Sequence, residues 1–501
     1  MAEAPSSAEK RHRRRLQLAG ALLVVATMAF PFSALACGGN VPAVTSSLVM
    51  STSSRSPTGA APSGSTNSLP GSSSTTTGDA GGSTGGATAG WPTYHHDAAR
   101  SAVSSDQAAL GQVKQTWTSA ELDGALYAQP LVIGDTVIAA TESDSVYALN
   151  ATSGATLWRA NLGSPVPGSE LPCGNIDPSG ITGTPLVDVV SGTIYVVAFL
   201  HDGPHHELFA LDLATGTVRW HKTVDPPGLS PLVEQQRGAL TMAGGKLYVA
   251  FGGLYGDCGQ YRGAVVSVSA DGTGALASYV VPTSRMAGIW NPGGALVDAH
   301  GDLWVVTGNS ESQSNFDYGD SVIRLSPGLR VLDYFAPQDW ARLNAGDLDL
   351  SSLDPVLLPG GRVLAAGKTG TAYLLDAGNL GHVGTAIATT GIGSSPFGTA
   401  AVLGLRIFVP CTGALIAVDT SANALRVAWK VDGGAGSPIV AADHVWYLGY
   451  DGILRAVDPA SGAVVFTLQL TTPVSRFVTP SAANGRLFVA SGQKITAVSL
   501  H

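Results

Sequence analysis

HELFALDLATGTVRW, residues 206–220, reads as an alternating apolar strand, an Asp/Ala/Thr/Gly turn, a second strand and a closing tryptophan. The same phrase returns as DSVYALNATSGATLW at 144–158, GALIAVDTSANALRVAW at 413–429 and DGILRAVDPASGAVVF at 451–466. Self-similarity of this kind means that each copy is one supersecondary unit buried by stacking on its neighbours. A second kind of strand precedes each turn unit. It occurs eight times, as TVIAAT, TIYVVAF, KLYVAFGG, DLWVVTGN, RVLAAGK, RIFVPC, HVWYLGY and RLFVASG. Short leads with Pro or small residues stand before them, among them Gln129-Pro130, Thr184-Pro185, Ser437-Pro438 and Thr479-Pro480. Eight four-stranded units predict an all-β, eight-bladed β-propeller.

The ends of the chain predict how the ring closes. The last unit stops at KITAVSLH, its third strand, while QTWTS at 115–119 looks like a fourth strand with Trp117 in the place of Trp158 and Trp220. The N-terminal strand is therefore expected to complete the last blade and leave few open edges. Asp212, Asp376, Asp419 and Asp458 precede turns, where a carboxylate accepts backbone N–H groups. Gly154, Gly216 and Gly462 suit positive φ in the hairpins. Trp158, Trp220 and Trp429 are expected between blades, each indole N–H needing one acceptor. These residues read as scaffold.

Composition agrees. Only 13% of the 501 residues are charged, and 63 are glycine. The formal charge is −9, and beyond the first 36 residues 22 basic side chains face 34 acidic ones. Such an acidic chain without a basic stripe excludes nucleic acid as the expected partner.

Residues 1–36 read as an export signal. Lys10, Arg11, Arg13, Arg14 and Arg15 precede the apolar run Leu18 to Phe30, and Ala34-Leu35-Ala36 offers a cleavage site. Cys37 follows in a lipobox-like position, which makes it a candidate for lipidation and membrane anchoring. Residues 37–90 are Ser/Thr/Gly/Pro-rich, without an apolar period, and are expected to form a disordered tether with a reach of about 40 Å. The folded head is expected at 91–501, outside the cytoplasmic membrane, in the periplasm or at the cell surface, as a monomer. Among the other thiols, Cys173 and Cys258 lie in glycine-containing loops and are the favoured disulfide, although three pairings are open. Cys411 ends an apolar strand and reads as a buried thiol.

These repeats resemble the pyrroloquinoline-quinone (PQQ) repeat. That repeat builds quinoprotein alcohol dehydrogenases and also non-enzymatic propellers, among them the propeller lipoprotein of the outer-membrane β-barrel assembly machine. Within the resemblance, MAGIWNP implies Trp290 as a floor under a quinone. VTGN implies Asn309 as an amide ligand for Ca²⁺, and GKTG implies Lys368 as a cation touching the quinone. APQDW resembles the segment that supplies the catalytic carboxylate, yet Ala341 stands where that Asp is expected. GDCGQYRG resembles the segment carrying a Glu ligand, yet Cys258 stands there instead.

Ca²⁺ needs six or more oxygen donors, and alcohol oxidation needs a carboxylate base within reach of the hydroxyl. On the sequence both look absent. The expected function is therefore a non-catalytic binding or assembly propeller of the cell envelope. Its partner would be an envelope protein, or a small-molecule or glycan ligand at the axis, with no cofactor expected. The alternative is a PQQ- and Ca²⁺-dependent dehydrogenase of alcohols or sugars, with Asp339 or Asp347 as base and Asp257 joining Asn309 as metal ligand. His201, His205 and His206 lack structural-zinc spacing and read as a polar loop. His95 and His96 lie in the entry segment WPTYHHDAARS. Asp317 and Asp320 form only an incomplete Ca²⁺-loop pattern.

Overall fold

The computed structural model describes residues 90–104, 109–470 and 477–501. The export signal, Cys37 and the tether lie outside the described residues. Eight sheets follow one another along the chain, each built on at least four antiparallel strands, and the fourth adds His382–Val383 in parallel to its outer edge. This is the eight-bladed propeller. Blade 1 runs Leu131–Ile133, Thr136–Thr141, Ser145–Asn150 and Thr156–Asn161, with Gly90–Trp91 added beside its first strand. Blade 8 runs Ser481–Ala483, Arg486–Ser491 and Lys494–Ser499, and Lys114–Thr118 supplies its fourth strand. In that pairing Trp117 faces Ala497 and Lys114 faces Ser499. The chain is zipped shut where the sequence places the seam.

Burial explains the strand types. Second strands such as Thr193–Leu200 are buried almost throughout, because sheets cover both their faces. Fourth strands such as Val218–Thr223 and Val464–Gln469 are far more exposed, with only alternate residues half-buried, because they form the outer edge.

The repeated turn and the repeated tryptophan form a single joint. A Cβ on Gly216 would lie 2.5 Å from Cε3 of Trp158, and one on Gly154 would lie 2.5 Å from Cε3 of Trp117. The same closeness recurs for Gly462 with Trp429 and Gly272 with Trp220. Each fourth-strand indole thus lies flat on the turn of the following blade. Trp117 Nε1 donates to Ala151 O at 3.0 Å, Trp158 Nε1 to Leu213 O at 3.3 Å and Trp429 Nε1 to Pro459 O at 3.1 Å. Glycine is therefore required twice at Gly216, for its φ of +72° and for its contact with the ring. Gly216→Ala is expected to destabilise the protein by about 1–3 kcal/mol, read as a lower denaturant midpoint. An unchanged midpoint would remove the joint from the account.

Asp212 and Asp458 cap their turns through backbone N–H groups of Thr215 and Ser461, at 2.9 and 2.7 Å. Asp419 departs from this role, because Arg406 and Arg426 hold its carboxylate in ion pairs at 2.6 and 2.9 Å.

Residues 91–104 run across the propeller axis and touch the first-strand leads of many blades. Tyr94 Oη donates to Ser437 Oγ, His95 N to Gln129 Oε1, and Arg100 Nε to Gly293 O. Arg100 is 2% exposed, and its remaining donors reach Thr93, Tyr94 O, Leu240 O and Thr241. The entry segment is a plug most of whose polar groups are satisfied, with Trp91 Nε1 and His95 Nδ1 buried without a partner among the described residues. The lone α-helix of the described residues, Trp340–Ala345, sits between blades 4 and 5. No helix among the described residues is long and apolar enough to cross a membrane.

Candidate functional site

Blades 3 (Glu234–Val280), 4 (Leu296–Ala336) and 5 (Val356–Gly391) bring the candidate residues to one place. Gly252, near the end of the second strand of blade 3, has no side chain, and a Cβ there would lie 2.9 Å from that of Trp290. The Trp290 ring faces Phe397 and Phe477, with centroids 6.3 Å away in both cases. Trp290 Nε1, Asp349 Oδ1 and Ser351 Oγ converge on Gly308, within 3.0, 2.5 and 3.0 Å of where its Cβ would stand. Asn309 follows. Its backbone N–H donates to Asp349 Oδ1 at 2.8 Å, and its carbonyl accepts from Ala287 N at 2.8 Å. Its side-chain amide makes no hydrogen bond among the described residues. Lys368 Nζ lies 2.5 Å from Asp349 Oδ2 and 2.6 Å from Asp347 Oδ1.

These distances separate the carboxylates of this region. Asp339, offered as a base, pairs with Arg342 on the exposed face of the short helix. Asp347 is two-thirds exposed and only flanks Lys368. The carboxylate that sits beside Asn309 and Lys368 is Asp349, 4% exposed. It comes nine residues after Trp340, because the segment resembling the catalytic motif is spent on a helix first. Asp257 Oδ1 accepts from Tyr261 Oη at 2.5 Å.

Electrostatics sharpen the site. Burial holds the Asp349 carboxyl above the ordinary aspartate range, and the Lys368 ammonium opposes that rise. Burial lowers the Lys368 affinity for its proton, but Asp349 and Asp347 outweigh it and raise the net value. Asp320 lies just behind, with Oδ1 accepting from Leu350 N at 2.8 Å and Oδ2 buried without a partner. Burial, then the nearby Asp349, push Asp320 well above the usual range.

The other candidates separate. His201 pairs with Glu170 and His206 with Asp225, each at 2.8 Å, while His205 points toward Glu207. Asp317 accepts from Ser310 Oγ and Thr283 Oγ1, so it and Asp320 serve different partners. Cys173 and Cys258 are bonded, with Cα atoms 6.2 Å apart. Cys411 is a buried free thiol, pushed up to about 12 by burial. Glu234, which the sequence reading passed over, is fully buried; its Oε1 accepts from Arg262 N and its Oε2 has no partner. Burial raises it to about 8, and its charged neighbours are Arg262 and Asp225 rather than Asp349.

The donor set distinguishes the two groups that the resemblance implies. A planar quinone fits, because Trp290 offers a flat face, Lys368 a cation and Asn309 an amide without a protein partner. Ca²⁺ in the manner of the dehydrogenases does not fit. Asn309 and Asp349 offer too few oxygens, Lys368 already neutralises Asp349, and Cys258 is held in its disulfide where a Glu is expected. Among the described residues no group of three or more His, Cys, Asp or Glu could hold a metal ion.

Comparison with known proteins identifies the repeat family and the fold. A family model, PQQ_2, described as outer membrane protein assembly factor BamB, matches residues 102–322 and 368–501. A polyvinylalcohol dehydrogenase from Sphingopyxis sp. (strain 113P3) is 25% identical over 476 residues, covering 78% of this chain and 68% of the relative. Among solved structures, the quinohemoprotein alcohol dehydrogenase ADHIIG from Pseudomonas putida HK5 superposes with a TM-score of 0.64 at 15% identity, covering 82% of this chain and 80% of its own. BamB from Moraxella catarrhalis superposes at 0.54 and 15% identity, covering 78% of this chain and 98% of its own. Such distant structural likeness speaks for the fold alone.

Proposed function

The chain belongs to the PQQ_2 family of repeat propellers, and on that footing we propose that it is an oxidoreductase of the quinoprotein type acting on a hydroxyl-bearing substrate. The observation that carries this reading is the meeting of Asp349 with Asn309, Lys368 and Trp290. A bound quinone supplies a two-electron acceptor. The chain's own part is to position the substrate and move its proton. Trp290 provides the flat face on which a planar ring lies. The Asp349 carboxylate is the base that takes the hydroxyl proton. Lys368 and the Asn309 N–H fix the orientation of that carboxylate, so no reorganisation is needed when the proton arrives. The likeness to a polyvinylalcohol dehydrogenase supports a secondary alcohol as the substrate class.

One observation favours a second reading, a non-catalytic binding or assembly propeller of the envelope. Cys258 and the Lys368–Asp349 pair leave no dehydrogenase-type Ca²⁺ site, and the family includes assembly factors. On either reading the head works outside the cytoplasmic membrane, tethered through Cys37 and the Ser/Thr/Gly-rich segment. The experiment that separates them is reconstitution of the purified protein with PQQ, with and without added Ca²⁺, followed by dye-linked oxidation of primary and secondary alcohols. Turnover that needs PQQ but not Ca²⁺ is expected. Tight PQQ binding with no turnover on any alcohol would shift the assignment to the binding propeller.

A further inference from the structure

Asp320 has no part in the chemistry assigned to Asp349, yet it is fully buried behind it. It stands where a rigid ladder ends. Leu303–Val306 and Val322–Leu325 pair as far as Val306 and Val322. Two further bonds carry the ladder on, from Thr307 N to Ser321 O at 2.9 Å and from Asp320 N to Gly308 O at 2.8 Å. Blade 4 thus fixes Asp320 directly against the segment that bears Asn309. Its φ is +46°, a conformation that Asp and Asn adopt more readily than most side chains.

The segment that carries Asp349 is irregular. Residues 347–352 lie between the short helix and Val356–Leu358, outside any sheet, with a single helical turn at Leu350–Ser352. Blade 5 holds this lead through Lys368 N, which donates to Asp349 O at 2.9 Å. Blade 4 holds it through Asp320, whose Oδ1 accepts from Leu350 N at 2.8 Å. Asp349 Oδ1 also accepts from Asn309 N at 2.8 Å, but that bond weakens whenever the carboxylate takes up a proton. The tie through Asp320 lies behind the reacting group and does not depend on its charge.

The second oxygen of Asp320 is buried without a partner among the described residues. An ionised group there would leave a charge uncompensated, and burial together with the nearby Asp349 favours the neutral acid. The titratable groups that face it are Asp347 and Asp349 on the lead and Lys368 and Tyr373 on blade 5. A neutral Asp320 leaves the Lys368 ammonium to the two carboxylates of the lead.

We propose that Asp320 is a positioning residue of the site, which through Leu350 holds the Asp349 segment in place against Asn309 while the Asp349 carboxylate gains and loses its proton. The consequence for turnover rests on the oxidoreductase reading; the tie itself does not.

Asp320→Gly removes the acceptor and tolerates the positive φ, whereas Asp320→Asn keeps an oxygen in the same place without charge. Amide hydrogen exchange, followed by mass spectrometry on peptides spanning 345–353 of the intact protein, needs no turnover. Exchange is expected to be about tenfold faster in Asp320→Gly and unchanged in Asp320→Asn. In the PQQ-loaded protein, Asp320→Gly is expected to lower kcat roughly ten- to hundredfold, the cost of a small misplacement of a reacting group, with KM and PQQ affinity unchanged. Asp320→Asn is expected to keep both kcat and the acid limb of the pH profile. Equal exchange in Asp320→Gly and wild type overturns the proposal. So does an Asp320→Asn protein as slow as Asp320→Gly, which would make the acid itself the needed group. An acid limb moved to lower pH in Asp320→Asn would show Asp320 acting as a charge beside Asp349 rather than as a tie, and likewise overturns it. If Asp320→Gly fails to fold, Asp320→Ser, too short to reach Leu350 N, takes its place. Faster exchange in Asp320→Gly, with no alcohol oxidation even by the wild type, would remove the oxidoreductase reading and leave the tie standing.

Discussion

Asp349→Asn abolishes alcohol oxidation by the PQQ-loaded protein, by roughly 10²–10⁴-fold in kcat, and leaves its melting temperature and PQQ affinity nearly unchanged. The substitution keeps the shape of the side chain, so Asn309 N–H still finds an oxygen acceptor where Asp349 Oδ1 now accepts at 2.8 Å. It removes the group that takes a proton. The same base sets a pH dependence. Because burial raises the Asp349 carboxyl above the ordinary range, the acid limb of kcat/KM lies at higher pH than for an exposed aspartate. Turnover falls as the pH drops through that raised value, because only the ionised form accepts the proton. Lys368→Met should shift this limb further up, since the ammonium 2.5 Å away favours the ionised form. Asp339→Asn, on the exposed face of the short helix, should change nothing. Loss of activity in Asp339→Asn with full activity in Asp349→Asn would reverse the assignment.

The blades and their closure are legible in the sequence because they repeat. Each copy of the turn phrase carries the same apolar alternation, three of the four carry the same glycine with Asn423 in its place in the copy at 413–429, and the missing fourth strand of the last unit points directly to Trp117. The position of the base is not legible, for a local reason. Trp340 through Ala345 fold as a helix, so the loop leaves the spacing of the resembling motif and returns a carboxylate to the axis only at Asp349. Nothing in LNAGDLDLSS distinguishes Asp347 from Asp349, since the strand context that buries one and exposes the other is set by Gly308 and Gly367 on neighbouring blades. A Cβ on Gly308 would collide with the Asp349 carboxylate, and one on Gly367 with its backbone. Glycines that look like ordinary turn residues are therefore what admits the acid.

Removal of residues 1–118 is expected to unfold the head, because two separate supports leave together. The first is the seam. Without Lys114–Thr118, the third strand of blade 8, Lys494–Ser499, keeps Arg486–Ser491 on one side but loses its outer ladder partner, and the turn at Gly154 loses the Trp117 ring that covers it. The second is the axial plug. Trp91 is fully buried and Tyr94 is 2% exposed, and Arg100 binds the leads of two blades, through Leu240 and Thr241 and through Gly293. Large aromatic truncations in a core cost about 3–5 kcal/mol each, and each lost ladder bond costs about 1 kcal/mol. Two buried aromatics, the half-buried Trp117 and the ladder thus sum to about 10 kcal/mol, comparable with the whole stability of an ordinary folded protein, about 5–15 kcal/mol. The truncated head should lose its cooperative melt and aggregate through the exposed strand edge. Truncation at residue 89 keeps plug and seam and should melt like the intact protein. A synthetic peptide spanning 90–120 should restore the melt of the truncated head when added in excess, since it supplies both the strand and the plug. A cooperative transition at the original temperature after removal of residues 1–118 would mean that the ring is held by contacts between neighbouring blades alone, and that neither Trp117 nor Arg100 carries the stability assigned to it.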